Sequence, residues 1–231
     1  MKLVLDPLSC TVRAEGSLAE TRLFWTQGCF GRGDGDDRRR TVSLSEATEL
    51  TEETERVFGL VEAAYVLAAE GDRLLPSRTL CQEQTVDGER FAVASLRELL
   101  KRIKALGCTT FGVTKFATRL TAYSLLRQKG WVVRDGVRFA SDYVLYKPGG
   151  PEQYHADYSV ILIFPDSPTS WRSVIASSRF TDQVKKKLVR MTVEIHDSKL
   201  APDLESALKS IAVHHGQESP AHLIQIKRWI P

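Results

Sequence analysis

Two residues in the second half of the chain stand where short strand-like runs end and begin. Tyr146 closes one run and His155 opens the next, across the breaker Lys147-Pro148-Gly149-Gly150-Pro151. A strand that ends beside the start of its neighbour brings both side chains to one edge of a sheet. An imidazole has a reference pKa of about 6.5 and exchanges a proton near neutrality. A phenol, at about 10, does so only with cationic help nearby. The pair reads either as proton-transfer chemistry or as a strand-end aromatic beside a turn histidine. Arg38-Arg39-Arg40 and Lys185-Lys186-Lys187 are local basic clusters. Each is a charge for an anionic partner or simply a solvated face.

Other residue types exclude more than they propose. The four cysteines, Cys10, Cys29, Cys81 and Cys108, are widely spaced, with no CxxC and no accompanying histidine pattern. That argues against a zinc site and a disulfide framework, and for a reducing compartment. Gly28, Gly31 and Gly33 fall within six residues around Phe30. The segment reads as a surface turn packed by Phe30 or as a phosphate-cradling loop. The Walker pattern is absent and no Lys-Ser/Thr follows, which argues against nucleotide binding. Pro165-Asp166 with Asp197-Ser198-Lys199 formally matches the signature of magnesium-dependent nucleases, a short pattern set here in loop-like context.

These positions need elements to hold them. The chain has 231 residues, 42% hydrophobic and 26% charged, with a formal net charge of +3. It is long enough to bury a core in one large or two small domains, and its basic excess is compatible with a nucleic-acid partner without naming one. The opening MKLVL reads as a strand, Asp34–Arg40 as a polar loop, and Ser45 and Thr51 precede acids as residues at helix starts do. Val57–Glu70 has helical spacing. Phe91–Leu106 reads as an amphipathic helix with Leu96, Leu99, Leu100 and Ile103 on one face. A boundary near residue 107 divides an N-terminal α/β domain, 1–107, from a C-terminal domain, 108–231. There a helix carrying Leu120, Tyr123 and Leu126 stops at Gly130. Strands are expected at Trp131–Arg134 and Val137–Tyr146, turned by Asp135-Gly136, and at Ser159–Phe164. Trp171–Ser177 and Phe180–Lys187 read as helical, Leu188–Ile195 as a strand, Pro202–Ala212 as a helix and His222–Trp229 as a last strand. Strands interleaved with helices make an α/β or α+β fold. The apolar runs are too short for a bilayer span or a signal peptide, so a soluble, intracellular protein without membrane insertion is expected.

The same half of the chain carries a family likeness. Gly130-Trp131-Val132-Val133-Arg134-Asp135-Gly136 is followed by Arg138-Phe139-Ala140-Ser141-Asp142-Tyr143-Val144-Leu145-Tyr146, then by His155-Ala156, Arg179 and Val184–Leu188. In order and spacing the set resembles the catalytic domain of the tRNA splicing endonuclease family, with Ala140 where glycine is usual. Leu23–Gly33 and Lys227–Pro231 resemble segments of the eukaryotic catalytic subunit assigned to the 5′ splice site. The resemblance implies an α/β (α+β) chain whose C-terminal nuclease domain has a mixed central sheet flanked by helices, restriction-endonuclease-like. It implies a tRNA-intron lyase in which the 2′-hydroxyl attacks its own phosphate, leaving 2′,3′-cyclic phosphate and 5′-hydroxyl ends without metal or cofactor. By the resemblance Tyr146 is the general base, or positions the 2′-hydroxyl, His155 is the general acid, and Lys186 is the electrostatic stabiliser. Arg179 and Trp229 are implied as RNA-binding side chains that stack on bases. The implied partners are intron-containing pre-tRNA, a second catalytic subunit and two structural subunits, in the nucleus. The alternatives are a non-catalytic structural or RNA-binding subunit of the same complex, and the magnesium-dependent nuclease.

Overall fold

Among the described residues, eleven short strands are interspersed with helices. The structure is a computed structural model and describes residues 2–33, 56–70, 85–86, 90–105, 112–167, 169–195, 206, 209–210 and 221–227. Expectations for Asp34–Arg40, Thr41–Glu55, Cys81, Cys108, Asp197, Lys199 and Trp229 lie outside the described residues, as does most of the helix expected over Pro202–Ala212. The chain divides into two units, Met1–Phe111 and Gly112–Pro231.

In the first unit, β1 (Lys2–Asp6) and β2 (Thr11–Glu15) pair antiparallel. Helix α1 (Leu18–Gly28) starts at a capping box: the Glu20 backbone N–H donates to Ser17 Oγ at 3.4 Å, and the Ser17 N–H donates to Glu20 Oε2 at 3.1 Å. Such a box satisfies two of the orphan donors at a helix start. Then come β3 (Arg32–Gly33), β4 (Arg56–Gly59) and α2 (Leu60–Tyr65), which continues as a wider turn over Val66–Glu70. Last are β5 (Thr85–Val86), β6 (Arg90–Ala92) and α3 (Leu96–Ala105). The sheet is antiparallel in the order β3-β4-β2-β1-β6-β5. Its core includes Val4, Val12, Phe24 and Phe58, the two rings meeting edge-on at 5.1 Å.

Two helices expected from sequence begin later than expected. Val57–Gly59 belongs to β4, and Phe91 belongs to β6, opposite Leu5 of β1. Pairing with a distant strand overrides the local spacing. The glycine-rich segment is a packed turn, buried rather than superficial, because Phe30 is 2% exposed. Gly31 has φ +69°, a Cβ there would meet Phe58 Cζ at 2.9 Å, and its N–H donates to Glu62 Oε1 at 3.1 Å. That amide is therefore spent on a carboxylate, not offered to a phosphate.

The second unit opens with α4 (Val113–Gln128), whose buried residues include Ala117, Leu120, Tyr123 and Leu126. Then follow β7 (Val132–Asp135), a single 3₁₀ turn at Val137–Phe139, β8 (Tyr143–Tyr146), the short α5 (Gly150–Gln153) and β9 (Tyr158–Ile163). Helix α6 (Trp171–Gln183), β10 (Lys187–Val193) and β11 (Ala221–Ile226) complete the unit. The sheet order is β11-β10-β9-β8-β7. The β9–β10 pair is parallel, with α6 as its crossover, and the other pairs are antiparallel. This is the mixed α/β architecture expected from the sequence. Among the described residues no helix is long and apolar enough to cross a membrane.

Two local expectations are corrected here. The strand expected over Val137–Tyr146 is a turn followed by a strand that starts at Tyr143. The helix expected over Phe180–Lys187 is the end of one continuous α6, and the three lysines lie beyond it.

Candidate active site

The strand directions decide which residues meet. Because β8 is antiparallel to β9, and β9 parallel to β10, the last residue of β8 and the first residues of β9 and β10 share one end of the sheet. The register places Leu145 opposite Tyr158, and Tyr158 opposite Lys187. One step outward stand Tyr146, Asp157 and Lys186. The Asp157 peptide ties this row together: its N–H donates to Leu145 O at 2.9 Å, and its C=O accepts from Lys187 N–H at 2.9 Å. His155 lies two residues before Asp157, exposed, with the buried Ala156 between them. The fold thus brings Tyr146, the His155 segment and Lys186 to one sheet end.

Tyr146 is fixed by what precedes it. The Asp135 carboxylate accepts from Val137 N–H at 2.8 Å, and Gly136 N–H donates to Asp142 O at 3.1 Å, closing a compact turn. A Cβ on Gly136 would come within 2.7 Å of the Ser141 carbonyl oxygen, so this close approach requires glycine. Ala140 sits at φ 49°, in the left-handed region. That backbone conformation explains why a glycine suits the position. Asp142 then pins the start of β8, with Oδ1 2.7 Å from Arg119 Nη1 of α4 and Oδ2 accepting from Leu162 N–H of β9 at 2.8 Å. Tyr143 donates to the Arg119 carbonyl at 3.0 Å, so its side chain faces α4. Strand alternation sends Val144 and Tyr146 to the opposite face. Burial raises the Tyr146 phenol pKa above its ordinary value, with Arg134 and Arg138 pulling the other way.

Lys186 is placed by the end of α6. Lys185 has φ 54°, its N–H donates to Asp182 O at 3.1 Å, and the Lys186 N–H donates to Thr181 O at 2.9 Å. This is the Schellman pattern, with lysine in the left-handed position that usually takes glycine. The same pattern ends α4, where Trp131 N–H donates to Leu126 O and Gly130 holds the left-handed position. The half-buried Lys186 sends its Nζ over the Phe139 ring, 4.4 Å from the centroid. Burial lowers its pKa, opposed by the Asp157 carboxylate. Lys187 begins β10 on the α4 face and lies over the Tyr158 ring at 5.3 Å. The three lysines are therefore separated by a turn and a strand, not by helical rotation.

Arg179 is exposed on α6, seven residues before Lys186, but the turn at Lys185 intervenes, so the two do not share one helix. Asp166 is exposed and pairs with Lys115 at 3.7 Å. Two contributors carried no role in the sequence reading. Phe139 gives Lys186 its apolar support, and Asp157 sets a carboxylate beside it while pairing with Lys147 at 3.6 Å. Phe139 lies inside the quoted motif. Asp157 stands immediately before a strand, and that adjacency was the one signal available for it.

Comparison with known proteins agrees with this half of the chain. A family model described as tRNA intron endonuclease, catalytic C-terminal domain, matches residues 116–200. The chain is 31% identical over 144 residues to the mouse tRNA-splicing endonuclease subunit Sen2, covering 58% of this chain and 29% of that protein. It is 39% identical over 85 residues to a probable fission yeast (Schizosaccharomyces pombe) tRNA-splicing endonuclease subunit sen2, covering 35% of this chain and 22% of the yeast protein. With the tRNA-splicing endonuclease of Sulfurisphaera tokodaii it shares 25% identity over 184 residues, 80% of this chain and 87% of the archaeal one. The chain thus spans less than a third of the length of these two eukaryotic relatives and most of the archaeal one. The segment matched by the family model contains most of α4, the Gly136–Tyr146 turn and strand, and the entries to β9 and β10, so the residues that build the site lie within the part of the chain that is similar to the tRNA intron endonuclease catalytic domain.

Proposed function

We propose that this chain is a catalytic subunit of tRNA splicing endonuclease that cuts pre-tRNA at the 5′ exon–intron junction by attack of the 2′-hydroxyl on its own phosphate. The observation that carries the reading is the convergence of Tyr146, His155 and Lys186 at one end of the β8-β9-β10 sheet. The reaction tethers its nucleophile beside phosphorus, which supplies a large entropic advantage without a cofactor. What remains is a proton to remove from the 2′-oxygen, a proton to deliver to the departing 5′-oxygen, and charge to stabilise on phosphorus. His155 is the general acid. Lys186 leaves the Phe139 ring and pairs with a non-bridging oxygen, where the phosphate's charge offsets the burial that disfavours its ammonium. The raised pKa of Tyr146 keeps it a neutral phenol, so it orients the 2′-hydroxyl, and the 2′-proton passes to solvent water as the new O–P bond forms. Arg179 holds RNA from α6. The assembly is a hetero-oligomer with a second catalytic and two structural subunits, working in the nucleus.

The test uses the chain with its co-purifying subunits and an end-labelled, intron-containing pre-tRNA. The expected products carry 2′,3′-cyclic phosphate and 5′-hydroxyl ends at the 5′ junction. His155→Ala is expected to slow cleavage by about 10²–10⁴-fold, the usual range for a positioned acid, with assembly retained. A 5′-phosphate product overturns the mechanism, because water would then be the nucleophile. Full-rate cleavage by both His155→Ala and Lys186→Ala assigns the chain to a structural role instead.

A further inference from the structure

Helix α6 carries an exposed row of which the proposed function uses only Arg179. Its buried side is Val174, Ser178 and Thr181. Flanking that side stand Trp171, 76% exposed at the helix start, Ile175, 47% exposed, and one turn later the exposed Arg179. A four-residue step advances a side chain only about 40° around a helix, so the three form one oblique row about 12 Å long. Arg172 is exposed beside it, and Asp182, past Arg179, is the helix's only acid.

Scattered surface apolar residues need no explanation. Here, however, an indole, an isoleucine and a guanidinium share one row with a second guanidinium beside it, and the helix that carries them leads into Lys186. Flat apolar surface takes the faces of unpaired bases, and the cations take the phosphates between them. A groove-binding protein partner would instead meet apolar anchors at i, i+3 or i+4, and i+7. The i+7 position from Trp171 is Ser178, small and buried, and the next exposed position in the row is an arginine.

We infer that Trp171, Ile175 and Arg172 form a track for single-stranded RNA that extends the substrate site along α6, away from the cleavage centre. The inference rests on the RNA-cleaving reading above. The test measures fluorescence anisotropy of a labelled oligouridine against the full chain at fixed salt. Trp171→Ala is expected to weaken binding about tenfold, the size of one lost base stack. Trp171→Phe restores most of it, and Arg172→Gln lowers the salt slope by about one counterion. Unchanged affinity in Trp171→Ala overturns the track, even where His155→Ala still slows cleavage as expected, so the two readings fail separately. Unchanged RNA affinity with loss of a co-purifying subunit also overturns it and assigns the row to a protein partner.

Discussion

Asp142 is the residue on which the position of Tyr146 most depends, and its removal tests that dependence. The carboxylate does two jobs, one oxygen for Arg119 at 2.7 Å and the other for the Leu162 N–H at 2.8 Å. In Asp142→Ala the N–H of Leu162, a residue 5% exposed, loses its acceptor at a cost of about 1–3 kcal/mol. The charge-assisted bond to Arg119 adds about 1.5 kcal/mol, the low end of its range, because solvent screens two side chains that keep 24% and 17% of their exposure. The alanine variant should therefore lose about 3 kcal/mol. Asp142→Asn keeps an acceptor for Leu162 and loses only the charge, so about half that loss is expected. Urea unfolding followed through Trp131, whose ring meets Tyr158 edge-on at 5.3 Å, reads this unit. At a slope near 2 kcal/mol/M the alanine midpoint should fall by about 1.5 M, with the slope unchanged. Asparagine as damaging as alanine would mean that the Leu162 bond contributes nothing. Losses below about 0.5 kcal/mol in both would show that Asp142 does not pin β8.

Three further outcomes follow from the same geometry. Ala140→Gly relieves a left-handed residue worth about 1–2 kcal/mol and adds unfolded-chain freedom worth about half of that, so a gain of about 0.5–1 kcal/mol by calorimetry is expected, and a loss would contradict the turn. Lys185→Gly keeps the Schellman geometry and should cleave within about twofold of the parent, whereas β-branched Lys185→Val should lose about 1 kcal/mol or more and displace Lys186, measurable as a fall in cleavage rate. The folded-state pKa of Lys186 is lowered, so as pH rises toward its unfolded value of 10.5 the unfolded chain holds more protons and stability increases. Denaturant midpoints from pH 7 to 10.5 should rise more steeply for the parent than for Lys186→Met, and parallel curves would deny the burial cost.

The sequence was legible where local chemistry and tertiary structure agree. Leu120, Tyr123 and Leu126 followed by Gly130 announce α4 and its end, and alternation announces β9 and β10. It misled where a distant partner decides. Phe91 looks helical from its neighbours, but β1, far earlier in the chain, takes it into the sheet. Residues 137–142 look like a strand, yet the bonds from Asp142 to Arg119 and Leu162 hold a turn there. The end of α6 escaped for a different reason. Glycine is the usual mark of a left-handed helix end, and Lys185 occupies that conformation without the mark. In the candidate site, the Tyr146 and His155 pair could be read from strand ends. The partnership of Lys186 with Phe139 and Asp157 could not, because it exists only after the turn and the crossover have both formed.

The three proposed catalytic side chains are held by different devices that meet in one peptide. Strand pairing holds Tyr146, since Val132 lies opposite it and Asp142 anchors the start of its strand. A helix end holds Lys186, through Thr181 O and the left-handed Lys185. His155 has neither, and its nearest restraints are the buried Ala156 and the double backbone clasp of Asp157 onto Leu145 and Lys187. The clasp fixes the spacing between the strand carrying Tyr146 and the turn carrying Lys186 with main-chain atoms alone. Side-chain identity near it is thereby left free to set electrostatics, which is what the Asp157 carboxylate does beside Lys186 and Lys147. A rigid strand-held tyrosine that orients the 2′-hydroxyl, a helix-anchored cation and an exposed imidazole on the entering strand suit a reaction in which the scissile phosphate arrives last. The tyrosine and the backbone of Lys186 are set before RNA binds, the ammonium turns from Phe139 to the phosphate, and the proposed acid, His155, is the group left to adjust to the leaving oxygen.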